Sequence, residues 1–322
     1  MFGGNEKAVD RLFGNAVKLL YLQSSVICPT MRFIAYFFYR FFILLFSIMP
    51  FWVAYLFADL AFVLVYYIVP YRKKVVVSNL TSSFPEKSKA EIAHLTRKFY
   101  LHLANIMVES LKGLSMSKAQ IIKRHRVVNP ELMDAYYAKG QSVIGVTAHY
   151  GNWEWGAFSG GVQVKLGMVA FYKPITNKLI DGDMKRRRSK FNSKLASIRE
   201  TAMTFKANVN HKVAFLMAAD QAPSNLRDCY WLPFLNHPDT PWLHGPEKYA
   251  RLYNLPVIYV DIQRVKRGYY ELTLSTLADS PNELPDGEIT ARYARKLEQA
   301  IIAEPTYWLW SHRRWKRKKQ AI

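Results

Sequence analysis

Eighteen consecutive residues from Phe41 to Ala58, FFILLFSIMPFWVAYLFA, carry no charge. As a helix rising about 1.5 Å per residue, such a run approaches the roughly 30 Å hydrocarbon thickness of a bilayer. A second apolar stretch, Leu60 to Tyr71, follows Asp59 and is too short to cross by itself. Two arrangements follow: one tilted crossing with an interfacial continuation, or an embedded helical hairpin broken near Pro50 and Asp59. Arg72, Lys73 and Lys74 come next, and basic flanks mark a cytoplasmic end, so the chain beyond them is expected in the cytoplasm. Lys7, Arg11, Lys18 and Arg32 make the other flank basic too, a conflict that an embedded hairpin or an interfacial helix removes. A cleaved signal peptide is disfavoured by the charges before the run and the lack of a short cleavage pattern after it. The chain therefore divides into an N-terminal region with a membrane anchor, residues 1–71, and a second domain, residues 72–322.

Lys and Arg outnumber Asp and Glu by 45 to 24, giving a formal charge of +21 on 322 residues that are 50% hydrophobic. That apolar content is enough for a substantial core, and the charge implies an anionic partner, phospholipid surface or nucleic acid. Two cysteines, Cys28 and Cys229, can build neither a Cys-rich metal site nor a dense disulfide scaffold. From Ser83 onward the pattern is that of a folded enzyme. Ser88 opens a helix along which Ile92, Leu95, Phe99, Leu103, Ile106 and Leu111 recur at three-to-five-residue spacing. Short apolar runs at 142–148, 164–172, 213–218 and 256–260 read as buried strands, with helices near 184–207 and 246–253 between them. Residues 269–277 alternate like an edge or antiparallel strand, and 289–302 close the domain as a helix. This alternation argues for an α/β fold, a mixed central sheet covered by helices, with ligands bound beyond strand ends.

At the end of the first of these strands stands His149, in His149-Tyr150-Gly151-Asn152-Trp153-Glu154. On one straight helix a five-residue offset would separate His149 and Glu154 by roughly 140°. Across a strand-to-helix turn, Gly151 lets the backbone fold tightly and return the carboxylate toward the imidazole. The pair then reads as general base and orienter, the carboxylate fixing the tautomer while neutral imidazole takes a proton from a hydroxyl. No second His stands at a helical offset, so no metal site is expected. The six basic residues Lys185, Arg186, Arg187, Arg188, Lys190 and Lys194 lie within ten positions and attract sugar phosphates or an acidic protein. Trp153, Trp155 and Phe158 are candidates to line an apolar groove. Next to and within the basic tail from His312 to Lys319, Trp308, Trp310 and Trp315 read as interfacial anchors.

The segment AHYGNWEW, of the form His-x4-Glu, resembles the signature of the bacterial lipid A biosynthesis acyltransferases, the late lauroyl and myristoyl transferases. These sit within a wider group of glycerolipid-type acyltransferases. The likeness extends over YRKKVVVSNLTSSFPE, KRRRSKFNS, MAADQAP, HGPEKYARLYNLPVIYV and the terminal YWLWSHRRWK. It implies transfer of a fatty acyl group from acyl carrier protein, with no other cofactor, to a hydroxyl of a phosphorylated glucosamine-based lipid at the cytoplasmic face of the bacterial inner membrane. It places His149 on the catalytic histidine and Glu154 on its acidic partner, with Asp220 and Gln221 on an Asp-Gln pair near the active site. It sets Arg188, favoured over Arg187 because it directly precedes a Ser-x-x-Asn-like stretch, on the functional arginine. Arg313, Arg314 and Lys316 fall on the terminal basic motif. Related acyltransferases act on ornithine lipid or lysophosphatidic acid, which makes those the alternative acceptors. A nucleic-acid-binding role would leave His149 and Glu154 idle, and a serine hydrolase would need a G-x-S-x-G elbow that this sequence lacks.

Overall fold

A computed structural model describes residues 29–319; Lys7, Arg11, Lys18 and Cys28 lie outside them. Helix α1 (Pro29–Ile48) stops short of Pro50, which lacks an amide hydrogen and adopts an extended backbone. Helix α2 (Phe51–Val63) starts directly after it and widens into a π turn, Leu64–Ile68. The uncharged run is thus shared between two helices and forms no continuous span of its own. Each of the two stretches, Thr30–Ile48 and Phe51–Ile68, is long and apolar enough to cross a membrane, and together they form the membrane anchor. Asp59 does not break the second helix, because its carboxylate pairs with Arg267 of the folded domain.

Helix α3 (Lys73–Ser83) leads to α4 (Lys89–Gly113), whose start is fixed by reciprocal bonds between Ser88 and Glu91, a capping box of about 1 kcal/mol. Its buried face includes Ile92, Phe99, Tyr100 and Ile106. After α5 (Lys118–Arg124), β1 (His125–Val127) and α6 (Glu131–Ala138) come the strands and helices that carry the site. These are β2 (Val143–Thr147), α7 (Gly156–Gln163), β3 (Gly167–Tyr172), α8 (Lys178–Arg188), β4 (Ser193–Ser197), α9 (Thr201–Asn208) and β5 (Val213–Ala218). A hairpin of β6 (Cys229–Phe234) and β7 (His237–Leu243), α10 (Gly245–Tyr253), β8 (Val257–Lys266), β9 (Tyr269–Ala278) and α11 (Glu288–Ala303) follow.

The seven-stranded sheet has the order β1-β9-β8-β2-β5-β3-β4 and is parallel except across the β8–β9 pair. The mixed α/β architecture follows the sequence pattern, with three differences. The region 184–207 is not one helix, since Phe191 and Asn192 turn the chain at positive φ and a strand is inserted between α8 and α9. Strand β9 is antiparallel to β8 as anticipated but lies inside the sheet, covered on its outer side by β1. The β6–β7 hairpin turns at Leu235 and Asn236, both at positive φ, without the Asn-Gly signal that marks such a turn in a sequence. Val143, Ile144, Val146, Ala214, Phe215, Val257 and Ile258 are buried in the sheet centre, which is why these strands read as continuous apolar runs.

Candidate active site

Strands β2 and β5 are parallel neighbours with Thr147 opposite Ala218. The chain leaves both strands in the same direction, and two residues further on stand His149 and Asp220. Parallel register therefore brings together groups 71 positions apart in sequence. His149 Nδ1 lies 2.7 Å from Asp220 Oδ1, and the His149 backbone N–H donates to Asp220 Oδ2 at 3.0 Å. Trp308 Nε1 donates to the same Oδ2 at 2.8 Å, so the carboxylate, only 2% exposed, is held at both oxygens. Asp220 is placed to accept a proton from Nδ1, and Nε2 then faces the Gln221 amide at 3.2 Å.

The turn that follows is built on buried polar groups. Gly151 takes φ +60°, and a side chain there would run into the carbonyl of Ile262, so glycine is required. Asn152 donates to the buried Glu109 carboxylate at 2.7 Å and caps the next turn through Trp155 N–H. His102 binds Gly151 O at 3.2 Å, and His125 binds Asn152 O at 3.0 Å. Burial pushes both of these imidazoles down to about 3, so they remain neutral supports. His149 differs. Burial opposes its charge, but the charge and hydrogen bond of Asp220, with Glu154 nearby, outweigh it and raise its pKa above the usual histidine value. Burial likewise works against the Asp220 carboxylate, yet its bonds to His149 and Trp308 hold its pKa below the ordinary range.

His149, Trp153, Glu154 and Arg188 border a cavity of about 390 Å³ whose walls continue as Phe158, Ala170, Leu195, Leu216, Val260 and Ile262. One end is polar and charged while the wall is hydrocarbon, the arrangement that an amphiphile with a reactive head requires. The imidazole sits edge-on to Trp153, with ring centroids 5.3 Å apart. Residues 26–317 match the family profile described as bacterial lipid A biosynthesis acyltransferase.

The chain belongs to that family.

It is therefore an acyltransferase of lipid A biosynthesis that works at the membrane. Among curated proteins, the lipid A biosynthesis lauroyltransferase of Escherichia coli (strain K12) is 24% identical over 254 residues, covering 78% of this chain and 81% of that protein.

Within this acyltransferase the residues singled out in the sequence occupy different places. Glu154 and Arg188 form an ion pair with each other at the cavity edge. The imidazole nitrogen expected to meet Glu154 is instead held by Asp220, a partner that local spacing around His149 does not reveal. Asp220, expected near the substrate, is enclosed between His149 and Trp308. Gln221 faces His149 Nε2. Arg187 turns toward Asp183 and α1, and Lys190 binds the Leu114 carbonyl; neither borders the His149 cavity. Arg313 lines a separate basic groove with Lys74, Lys316 and Lys318.

Arg314, expected in the terminal basic motif, is 0% exposed and stacks over the Trp242 ring inside the core. Trp155 is also buried, donating to Glu109 O, and does not line the groove. Trp308 and Trp310 belong to the core rather than to an interface, because the Tyr307–Leu309 segment is bonded to the His149 turn. The hydrogen bond from Trp308 to Asp220 has no signature in the sequence.

Proposed function

We propose that this acyltransferase moves a fatty acyl group from acyl carrier protein directly to a hydroxyl of a lipid A precursor, with His149 as general base. The observation that carries the reading is the His149–Asp220 pair at the polar end of an apolar cavity. The acyl chain enters the cavity and its thioester carbonyl lies beside His149. Nε2 takes the proton of the acceptor hydroxyl as its oxygen attacks the carbonyl carbon, and Asp220 steadies the imidazolium that forms. Gln221, which faces Nε2 in the free protein, exchanges that contact for the acceptor. Negative charge then develops on the carbonyl oxygen, and Arg188, kept in position by Glu154, supplies the nearby cation. Collapse re-forms the carbonyl and breaks the carbon–sulfur bond, and the imidazolium proton goes to the departing thiolate. Glu154 thus acts on the arginine more than on the histidine.

Exposed Lys185 and Arg186, on the same helix as Arg188, are suited to the phosphates of the acceptor. The membrane anchor and the basic surface fit a catalytic domain facing the cytoplasm at the inner membrane, where carrier protein and anionic lipid are both available. The test is mass spectrometry of purified protein given an acyl-carrier thioester with lipid A precursor, ornithine lipid or lysophosphatidate. The lipid A precursor should gain one acyl group while the protein gains none. A kinetically competent acyl-enzyme would refute direct transfer, and acylation of only the other lipids would refute the acceptor.

A further inference from the structure

We infer that α1 and α2 lie in the plane of one leaflet, inner faces on the catalytic domain and outer faces in hydrocarbon, without crossing the bilayer. The domain follows the helices along their whole length. At the start of α1, Asn177 donates to the Arg32 carbonyl at 3.1 Å, and further along Arg40 pairs with Asp183 at 3.4 Å. Near the corner between the helices, the Lys112 ammonium donates to the carbonyls of Phe46, Ser47 and Met49 at 2.9, 3.0 and 2.6 Å. On α2, Tyr55 donates to Glu109 at 3.0 Å and Asp59 pairs with Arg267 at 2.5 Å. Just past the π turn, Tyr100 donates to the Tyr71 carbonyl at 2.5 Å.

A spanning hairpin would carry its corner to the far side of the bilayer, yet this corner is fastened to α4 of the catalytic domain. A single crossing by either helix would set an ion pair with the domain, Arg40–Asp183 or Asp59–Arg267, at mid-membrane and draw charged domain surface in after it.

The outer faces show where lipid lies. Phe37, Leu44, Ile48, Trp52, Leu60 and Ile68 are each 63–75% exposed, forming one apolar strip along both helices. Its rim is basic. Arg72 lies over Tyr71 and Lys73 over Tyr66 where the helices end, and the Lys185–Arg188 cluster flanks α1. A hydrocarbon-facing strip edged by cations and tyrosines fits the interfacial region of an anionic leaflet, and a second copy of the chain would bring like charges together at that rim.

The test uses the full chain with Cys28→Ser and Cys229→Ser, carrying single cysteines at Phe37, Leu44, Leu60 or Ile68. Each is nitroxide-labelled and reconstituted in phosphatidylethanolamine–phosphatidylglycerol vesicles. Retained acyl transfer verifies the fold of each variant, and electron paramagnetic resonance power saturation with oxygen and a nickel chelate gives depth. All four labels should lie at one depth in the same leaflet, about 5–10 Å below the head groups. Depth that changes by about 1.5 Å per residue, roughly 10 Å between Phe37 and Leu44, would overturn the inference. So would labels shielded from lipid and broadened by one another, the mark of paired copies.

Discussion

At the residue scale, the proposed mechanism gives the two nitrogens of the His149 imidazole separate duties. Asp220 holds Nδ1, Nε2 meets the Gln221 amide, and the residue borders the cavity. A general base works unprotonated, so transfer should rise with pH through the raised pKa of His149 and level off above it. The Asp220 carboxylate favours the imidazolium. Asp220→Asn should therefore move the rising limb of kcat/KM to lower pH while reducing the plateau by roughly 10²-fold or more, read from a pH–rate profile. An unmoved limb would mean that another group titrates. The sequence marks His149 as a candidate because a histidine ending an apolar run, with glycine two residues on, is a local feature. Its contact with Asp220 is not legible there, since the two meet only when β2 and β5 pair in parallel register. The nearer carboxylate, Glu154, drew the assignment, although Arg188 claims it in the fold.

At the scale of elements, the proposed mechanism puts the chemistry at the strand ends and the acyl chain against the strand bodies. Ala170 on β3 sits opposite Leu216 on β5, and both line that cavity. Ala170→Phe should fill part of it and shift preference toward shorter acyl donors. At about 0.8 kcal/mol per buried methylene, exclusion of four costs about 3 kcal/mol, on the order of 10²-fold in kcat/KM for the longer donor. Competition between two acyl-carrier thioesters of different length measures this directly; an unchanged ratio would place the chain elsewhere. Strands β2, β3, β5 and β8 were readable because both sheet faces bury them. Strand β4 was not, because Lys194 and the serines around it lack an apolar run and its turn depends on two non-glycine residues at positive φ. The tail tryptophans were misplaced for a related reason: composition gives aromatic and basic residues together, while the bonds of Tyr307–Leu309 to the His149 turn exist only in three dimensions.

At the scale of the whole molecule, the +21 charge is distributed over surfaces with different uses. Lys185 and Arg186 are exposed beside α1, whereas Arg313 and Lys316–Lys319 form a groove against α3. Lys185→Gln with Arg186→Gln should raise the KM for a phosphorylated acceptor several-fold, leave the donor KM nearly unchanged, and weaken the salt dependence of acceptor binding. An equal rise in both constants would assign the cluster to the carrier protein.

The proposed mechanism requires His149 and Asp220 to act as one unit, and single-turnover kinetics of His149→Ala, Asp220→Ala and the double variant test that most directly. With acyl-carrier donor and lipid A precursor, each single variant should lose roughly 10²-fold or more, and the double variant should be no slower than the slower single one. Near-normal transfer by His149→Ala, or losses that multiply in the double variant, would contradict it.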